Sequence, residues 1–410
     1  MVWKSPLAHF YEGFYTEIVK EKFLILEIGA KSATGWFLSV DEDRNILFEK
    51  RERHADIGKF FKFLKSPMEH LSRRTWEGKH IMRSRRHVAA VASPDVATTI
   101  PIPLDLPRDA GAAKRRITVA EVENLVAQAM QKIFNGCRTE AAKRLGIHEL
   151  DAILVSARAE HFKVDGRPVA SPVGFAGKKI TLLLELTFTG RAVFERLKQF
   201  FNAPEEFFFM EAPQVALDML ARVRKLPLNL LVAGNGETPL FVLQKVKDEY
   251  AVLYREKLDW LFDGFFAAIT GALAVNERAA KELYEIYRKG GLSEDASRAF
   301  KKILDPTLAG LMGAVQKGKL QGAVYFDAPH APPVDLPHKI SGGVSFEEQP
   351  MVELLAELGF SADVLASPAF KRNNNEARRV LLYFLAAYFD KSNATEINRK
   401  LRRRLHWLAQ

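Results

Sequence analysis

The sequence predicts an α/β protein built by internal duplication, with a small α+β insert in its first half. Three observations predict it. KFLILEIGAKSATGWFLSVDEDRNILFEKRE, from Lys22, reads as an apolar strand, a glycine turn, a second strand, an acidic turn at 41–45 and a third strand. LNLLVAGNGETPLFVLQKVKDEYAVLYREK, from Leu228, repeats that plan, and helical material follows both copies, so a cleft between two related halves is expected. Between the copies, ITVAEVENLVAQAMQKIF (117–134) has apolar residues at helical spacing, with Thr118 and Glu121 as a capping box. LDAILVSARAEHFKVDG and PVGFAGKKITLLLELTF then give a strand, a hairpin through Asp165 and Gly166, and a long strand.

At 410 residues and 48% hydrophobic, the chain can bury a large core in two or more domains. The lone Cys137 excludes an internal disulfide framework and suits a reducing compartment. The opening residues lack the apolar core and cleavage site of a secretory signal, and no apolar run reaches the roughly 20 residues of a spanning helix. A cytoplasmic protein is expected. There is no G-x-S-x-G, H-E-x-x-H or P-loop lysine motif. Asp327, His330, Asp335 and His338 flank a proline-rich loop that reads as a solvated connection, so no metal is expected.

The net charge of +10 is concentrated in two places. Residues 50–87 hold twelve basic against four acidic residues, and residues 371–410 hold ten against three. Such patches favour an anionic partner. In the first, SRRTWEGKHIMRSRRH interleaves aromatics and arginines without any nucleic-acid fold signature, so nucleic acid is not expected. The second contains VLLYFLAAYF, apolar nearly all round and therefore a core helix over 379–390. TEINRKLRRRLHWLAQ follows as a new helix. Ile397, Leu401, Leu405 and Leu408 make one narrow stripe, Arg402 lies opposite and Trp407 on a flank. This pattern predicts a helix that lies on an anionic membrane surface.

The glycine turns have the shape of phosphate-holding loops. Candidate contacts are Glu27, Gly29, Ala30, Lys31 and Ser32 in the first, and Gly234, Asn235, Gly236 and Thr238 in the second. Gly342 and Gly343 allow close approach of a base, or simply form the turn before a helix starting near Phe346. VDGRPVASPVGFAGKKITLLLELTF, from Val164, resembles the corresponding segment of the bacterial cell-division protein FtsA. In the same order, EIGAKS, EAPQVALDML, AGNGET and HKISGGVS resemble that family's first phosphate loop, the helix before the second, the second loop and the adenosine loop.

The resemblance spans most of residues 20–392 and implies an actin-like, duplicated RNase H-like fold. Residues 1–100 with 190–226 would be its first subdomain and 101–189 the insert. Residues 227–270 with 336–392 would form the second large subdomain, 271–335 a smaller one, and 393–410 the terminal helix. It further implies ATP with Mg²⁺ as cofactor, self-association into filaments and a tubulin-like FtsZ filament as partner. The place implied is the inner face of the cell membrane. The pilus-assembly protein PilM shares the plan, and an active ATPase is the other alternative.

Departures from the family concentrate in the nucleotide pocket. Where each phosphate loop opens with an aspartate that positions Mg²⁺ and water, this chain has Glu27, one methylene longer, and Ala233. Glu237 would bring negative charge toward a phosphate, and Pro239 removes a backbone donor. In the ribose helix, AAKELYEIYRKGG keeps acids at Glu282 and Glu285 but no lysine at the expected spacing. Slow or absent hydrolysis is therefore expected, and nucleotide binding itself is open. The reading is a membrane-attached adaptor or scaffold.

Overall fold

The computed structural model describes residues 21–30, 32–54, 59, 86–201, 207–232, 238–246, 250–327, 336, 339–340, 343–368, 370, 374–393 and 396–401. Two sheets carry the duplication. In the first, β1 (Glu21–Ile28), β2 (Ala33–Val40) and β3 (Ile46–His54) form an antiparallel meander. Next to β1 lie two strands parallel to it, β4 (Arg86–Ala92) and β9 (Phe207–Glu211), giving the order β3-β2-β1-β4-β9.

The second sheet repeats this. Its meander is β10 (Leu228–Val232), β11 (Thr238–Val246) and β12 (Tyr250–Leu258). The strands β13 (Gly322–Asp327) and β15 (Val344–Phe346) continue parallel to β10, and β14 (Lys339–Ile340) closes the edge, in the order β12-β11-β10-β13-β15-β14. Two meanders extended by parallel strands on the same side are the actin-like, duplicated plan. Residues 344–346, expected to lead into a helix near Phe346, are a strand. Val344 and Phe346 both point into the core while Ser345 is half-buried, a period of two, and the helix waits until α7 (Met351–Glu357).

The insert has the sheet order β5-β8-β6-β7. Its strands are β5 (Ala97–Pro107), β6 (Ala152–Val164), β7 (Arg167–Pro168) and β8 (Lys179–Gly190), covered by helix α1 (Val119–Leu145). Asp165 and Gly166 both take positive φ, 49° and 81°, the conformation that a two-residue hairpin turn requires. Helix α1 runs well beyond Phe134, because Cys137, Ala141 and Ala142 continue its buried stripe until Gly146 ends it at φ 64°. Thr118 caps it as expected, accepting from the Glu121 N–H at 3.2 Å. The Glu121 carboxylate, however, takes two bonds from buried Arg108 at 2.7 and 3.0 Å.

The remaining helices are α2 (Arg191–Phe201), α3 (Ala212–Leu220), α4 (Gly264–Leu273), α5 (Glu277–Arg288), α6 (Glu294–Lys317) and α8 (Asn374–Asn393). Residues 396–401 form one further helical segment. The largest core joins the halves: Ile25, Trp36 and Ala89 of the first sheet and Leu230, Phe241 and Tyr325 of the second share one cluster with α3 and α8. Helix α8 is buried along Val380–Leu385, as its apolar run predicts, and extends past both expected ends. A second core sits under α4, α5 and α6, and a third lies between α1 and the insert sheet.

Where the insert meets the body, a fourth core packs Ile153 and Val155 of the insert with Leu24, Leu26 and Phe209 of the first sheet, and buried polar groups lie beside it. Arg158 of β6 donates to Glu185 of β8 at 2.9 Å and to Asp218 of α3 at 2.8 Å, and Gln214 donates to Glu185 at 2.8 Å. Glu211 accepts the Thr99 N–H at 2.6 Å. Burial pushes the Glu185 carboxyl up to about 8 against the pull of Arg158, with Asp218 and Glu160 adding to the rise. Burial likewise pushes Glu211 up to about 7, opposed by Thr99 and then by Arg255 and Arg144.

The fold makes two measurable demands. Gly322 sits at φ 79° with the Pro227 carbonyl oxygen where a Cβ would go, whereas Gly313, inside α6, has nothing within 4 Å. Gly322→Ala is expected to cost about 2–4 kcal/mol in denaturant unfolding, and Gly313→Ala to add about 0.4–1 kcal/mol. The two raised glutamates set a pH slope. Between their ordinary value of 4.5 and about 7 to 8, the folded chain keeps protons that the unfolded chain has released, so stability falls as pH rises through that window. Glu211→Gln should flatten the lower part of the slope and raise stability by roughly 1–3 kcal/mol near pH 8. An unchanged slope would exclude Glu211 as its source.

Candidate functional site

The carboxyl ends of the central strands of the two sheets face each other across the halves. Glu27, next to last in β1, and Asp327, last in β13, are brought together by one residue, Arg379 of α8. Arg379 donates from Nε to Glu27 Oε1 at 2.7 Å and from Nη1 to Asp327 Oδ1 at 3.2 Å. Trp36 of β2 donates its indole N–H to Glu27 Oε2 at 3.0 Å. The three charged side chains are 12–23% exposed. Burial alone would lower the Arg379 pKa, but the Glu27 and Asp327 carboxylates outweigh it and hold the guanidinium firmly charged. Burial and the Asp327 charge raise the neighbouring Tyr383 phenol, which stays neutral.

Arg51 extends the cluster: its guanidinium lies 4.8 Å from the Trp36 ring centroid and pairs with Glu376 of α8. Arg255 of β12 donates to the Pro94 carbonyl at 3.3 Å, a second polar tie between halves. Arg379 and Trp36 were missed from sequence, and Asp327, read as part of a solvated connection, is instead 12% exposed and paired with Arg379. The available signal was a pair of arginines, Arg378 and Arg379, between the buried Ala377 and Val380 at the start of an apolar helical run.

The described residues of the first loop are engaged within the protein rather than open to a Mg²⁺-nucleotide. Both Glu27 oxygens are engaged, one by a cation and one by the indole, so a metal-bound water would compete with Arg379 and Trp36 for them. The Gly29 N–H donates to Ser32 O at 2.9 Å and is spent inside the turn, with Ala30 exposed at its tip. Lys31 lies outside the described residues, as does the second loop with Ala233, Gly234, Asn235, Gly236 and Glu237. Thr238 begins β11 with its hydroxyl buried and unpartnered. Gly343, at φ 82°, offers its carbonyl to the Gly322 N–H at 3.2 Å, and Gly342 is outside the described residues. Glu282 lies on the exposed face of α5, paired with Arg278 at 3.1 Å. No group of His, Cys, Asp and Glu among the described residues is arranged to hold a metal.

The expected membrane helix needs a correction at its first turns. Ile397 and Leu401 are 1% and 3% exposed and belong to the core of the insert. Asn398 between them accepts from the Ala159 N–H at 2.8 Å and donates to the Ala159 carbonyl at 3.1 Å. The described part of the stripe read as a lipid face, Ile397 and Leu401, is therefore used for packing on the insert. Arg402, Leu405, Trp407 and Leu408 lie outside the described residues, as do residues 60–85 of the first basic patch. No described helix is long and apolar enough to cross a membrane.

No family model and no curated protein matches the chain. Among solved structures it is similar to a PilM-PilN type IV pilus biogenesis complex, at 14% identity and TM-score 0.49, covering 89% of this chain and 98% of that one. It is similar to the ethanolamine utilization protein EutJ from Carboxydothermus hydrogenoformans, at 9% identity, TM-score 0.34 and coverage of 83% and 89%. A third is the cytoplasmic domain of EpsL, an inner membrane component of the Vibrio cholerae type II secretion system, at 11% identity, TM-score 0.31 and coverage of 85% and 100%. The architecture itself rests on the two strand orders.

Removing the guanidinium while keeping its stem strands two carboxylates together. Arg379→Met is expected to lower unfolding stability by about 2–4 kcal/mol. Adding Glu27→Gln should restore part of that loss, a coupling of roughly 1–2 kcal/mol in a double-mutant cycle. Additive losses would show that the pair does not hold the halves.

Proposed function

We propose that this chain is an actin-fold adaptor or scaffold whose cleft is held by protein contacts rather than by a nucleotide cycle. The arginine clasp carries the reading. In a nucleotide-driven actin fold, the strand-end acid of the first half must be free to act on a metal and water at the γ-phosphate. Here that acid is Glu27, and Arg379 and Trp36 engage both of its oxygens. An entering phosphate would have to strip Arg379 from two carboxylates, a cost that the shortened set of loop ligands does not offset. The clasp thus works against ATP with Mg²⁺ as a resident, and the active-ATPase alternative is the less supported one.

The finer assignment follows the family resemblance: a scaffold of the FtsA type that self-associates, binds an FtsZ-type tubulin-like filament and works at the inner face of the cell membrane. The basic C-terminus supports membrane contact, through the arginines beyond Leu401. A PilM-like pilus adaptor is the second reading. The docking of Ile397, Asn398 and Leu401 on the insert favours it, because that family typically lacks a free membrane helix.

Two measurements separate these readings. With Mg²⁺ and ATP, the purified chain should show no hydrolysis above background; tight binding with Mg²⁺-dependent turnover would overturn the scaffold reading. In a pelleting assay with anionic vesicles, reversing Arg402, Arg403 and Arg404 to Glu should abolish binding if the chain is a membrane scaffold of the first kind. Binding unchanged by the reversal, or absent from the start, would turn the assignment toward the pilus adaptor.

A further inference from the structure

A cavity of about 270 Å³ lies at the junction of the insert sheet, the first sheet, α3 and α8, separate from the arginine clasp. Its walls carry five carboxylates, Glu160, Glu185, Glu211, Asp218 and Asp390, against two guanidiniums, Arg158 and Arg222. In a chain of net charge +10, that surplus of carboxyls is opposite to the background, and it becomes a full negative excess only as Glu211 and Glu185, raised to about 7 and about 8, lose their protons.

Acidity alone would not define a site, but two wall residues are unfinished. Glu211 is 2% exposed and its Oε1 has no hydrogen-bond partner, although Oε2 is held by the Thr99 N–H. Gln214 is 6% exposed and its Oε1 is also unpartnered, its amide nitrogen being committed to Glu185 and Asp218. Both open atoms are acceptors, and an unmade bond at a buried acceptor costs the group's desolvation. The complement is a donor-rich head that carries positive charge.

The rest of the wall is aromatic, including Phe207, Phe209 and Phe389. The Arg222 guanidinium already lies 3.2 Å from the Phe389 ring centroid, so this wall accepts a cation over a ring face.

We propose that this cavity is a binding site for a small organic cation, an alkylammonium or guanidinium head on a short apolar stem, with Glu211 Oε1 and Gln214 Oε1 as its acceptors. The head offsets the buried Glu211 charge that Arg144 and Arg255 offset only in part. Glu185 stays engaged with Arg158 and Gln214 and forms the floor. The volume limits the ligand to a few carbons beyond the head.

The test uses the full chain with methylguanidinium, n-butylammonium and the uncharged n-butanol as probes, read by calorimetry and thermal shift. Both cations should bind and n-butanol should not. Binding should be tighter near pH 8 than near pH 6, because the raised carboxyls of Glu211 and Glu185 ionise across that window. Glu211→Gln, which keeps an acceptor for Thr99, should weaken both cations at least roughly tenfold. Gln214→Leu should weaken them less, and circular dichroism would check that each variant is folded. An arginine-containing acetylated peptide amide forms a further arm: a free cation that binds as tightly as the peptide marks a metabolite site, and a peptide preference marks a side chain of a partner as the source. Equal binding of the alcohol and the cations, or a folded Glu211→Gln variant that binds like the parent, would overturn the proposal and leave the cavity to water.

Discussion

The guanidinium of Arg379 is the contact on which the arrangement of the halves depends. Parallel strands of a duplicated fold end on the same side, so strand-end acids from both sheets converge on the cleft, and like charges there repel unless something lies between them. In a nucleotide-dependent relative of such a fold, a metal and phosphates fill that role. Here one side chain does so, delivered by a helix whose other faces are in the shared core. The apolar burial of α8 fixes where the guanidinium sits, and the carboxylates fix its charge. Packing and electrostatics therefore specify the same geometry, without a ligand.

Much of this was written locally in the chain. The strands β1, β2 and β10 to β12 follow from alternation and from glycine or acidic turns, and Thr118 caps α1 where its hydroxyl predicts. Other features were not local. Arg379 and Glu27 are 352 positions apart, and no window of sequence contains both. The end of α1 was misread at Asn135 and Gly136, where burial of Cys137, Ala141 and Ala142 outweighs the weak helix propensity of those two residues. The C-terminal stripe was legible as an amphipathic helix, but the pattern of Ile397 and Leu401 is the same for a lipid surface and a protein surface. Only the position of Ala159 beneath Asn398 distinguishes them.

The site itself was legible in location and misjudged in chemistry. Glu27 lies between the halves, while nothing in the local pattern singled out the indole of Trp36, nine positions on, as its partner. A tryptophan opposite a strand-end acid is a hydrogen-bond donor as well as a hydrophobe.

The bidentate contact of Asn398 also has a topological meaning. Ala159 turns its N–H and carbonyl away from β8, at a stretch of β6 where β7 has not yet begun to pair. Such an open row of backbone groups is where one sheet recruits a strand from another molecule. The carboxamide of Asn398 imitates the missing strand over a single residue and closes the row. Asn398 thus covers one backbone pair on the open side of β6, while β5, paired only with β8, forms the other edge of the insert sheet.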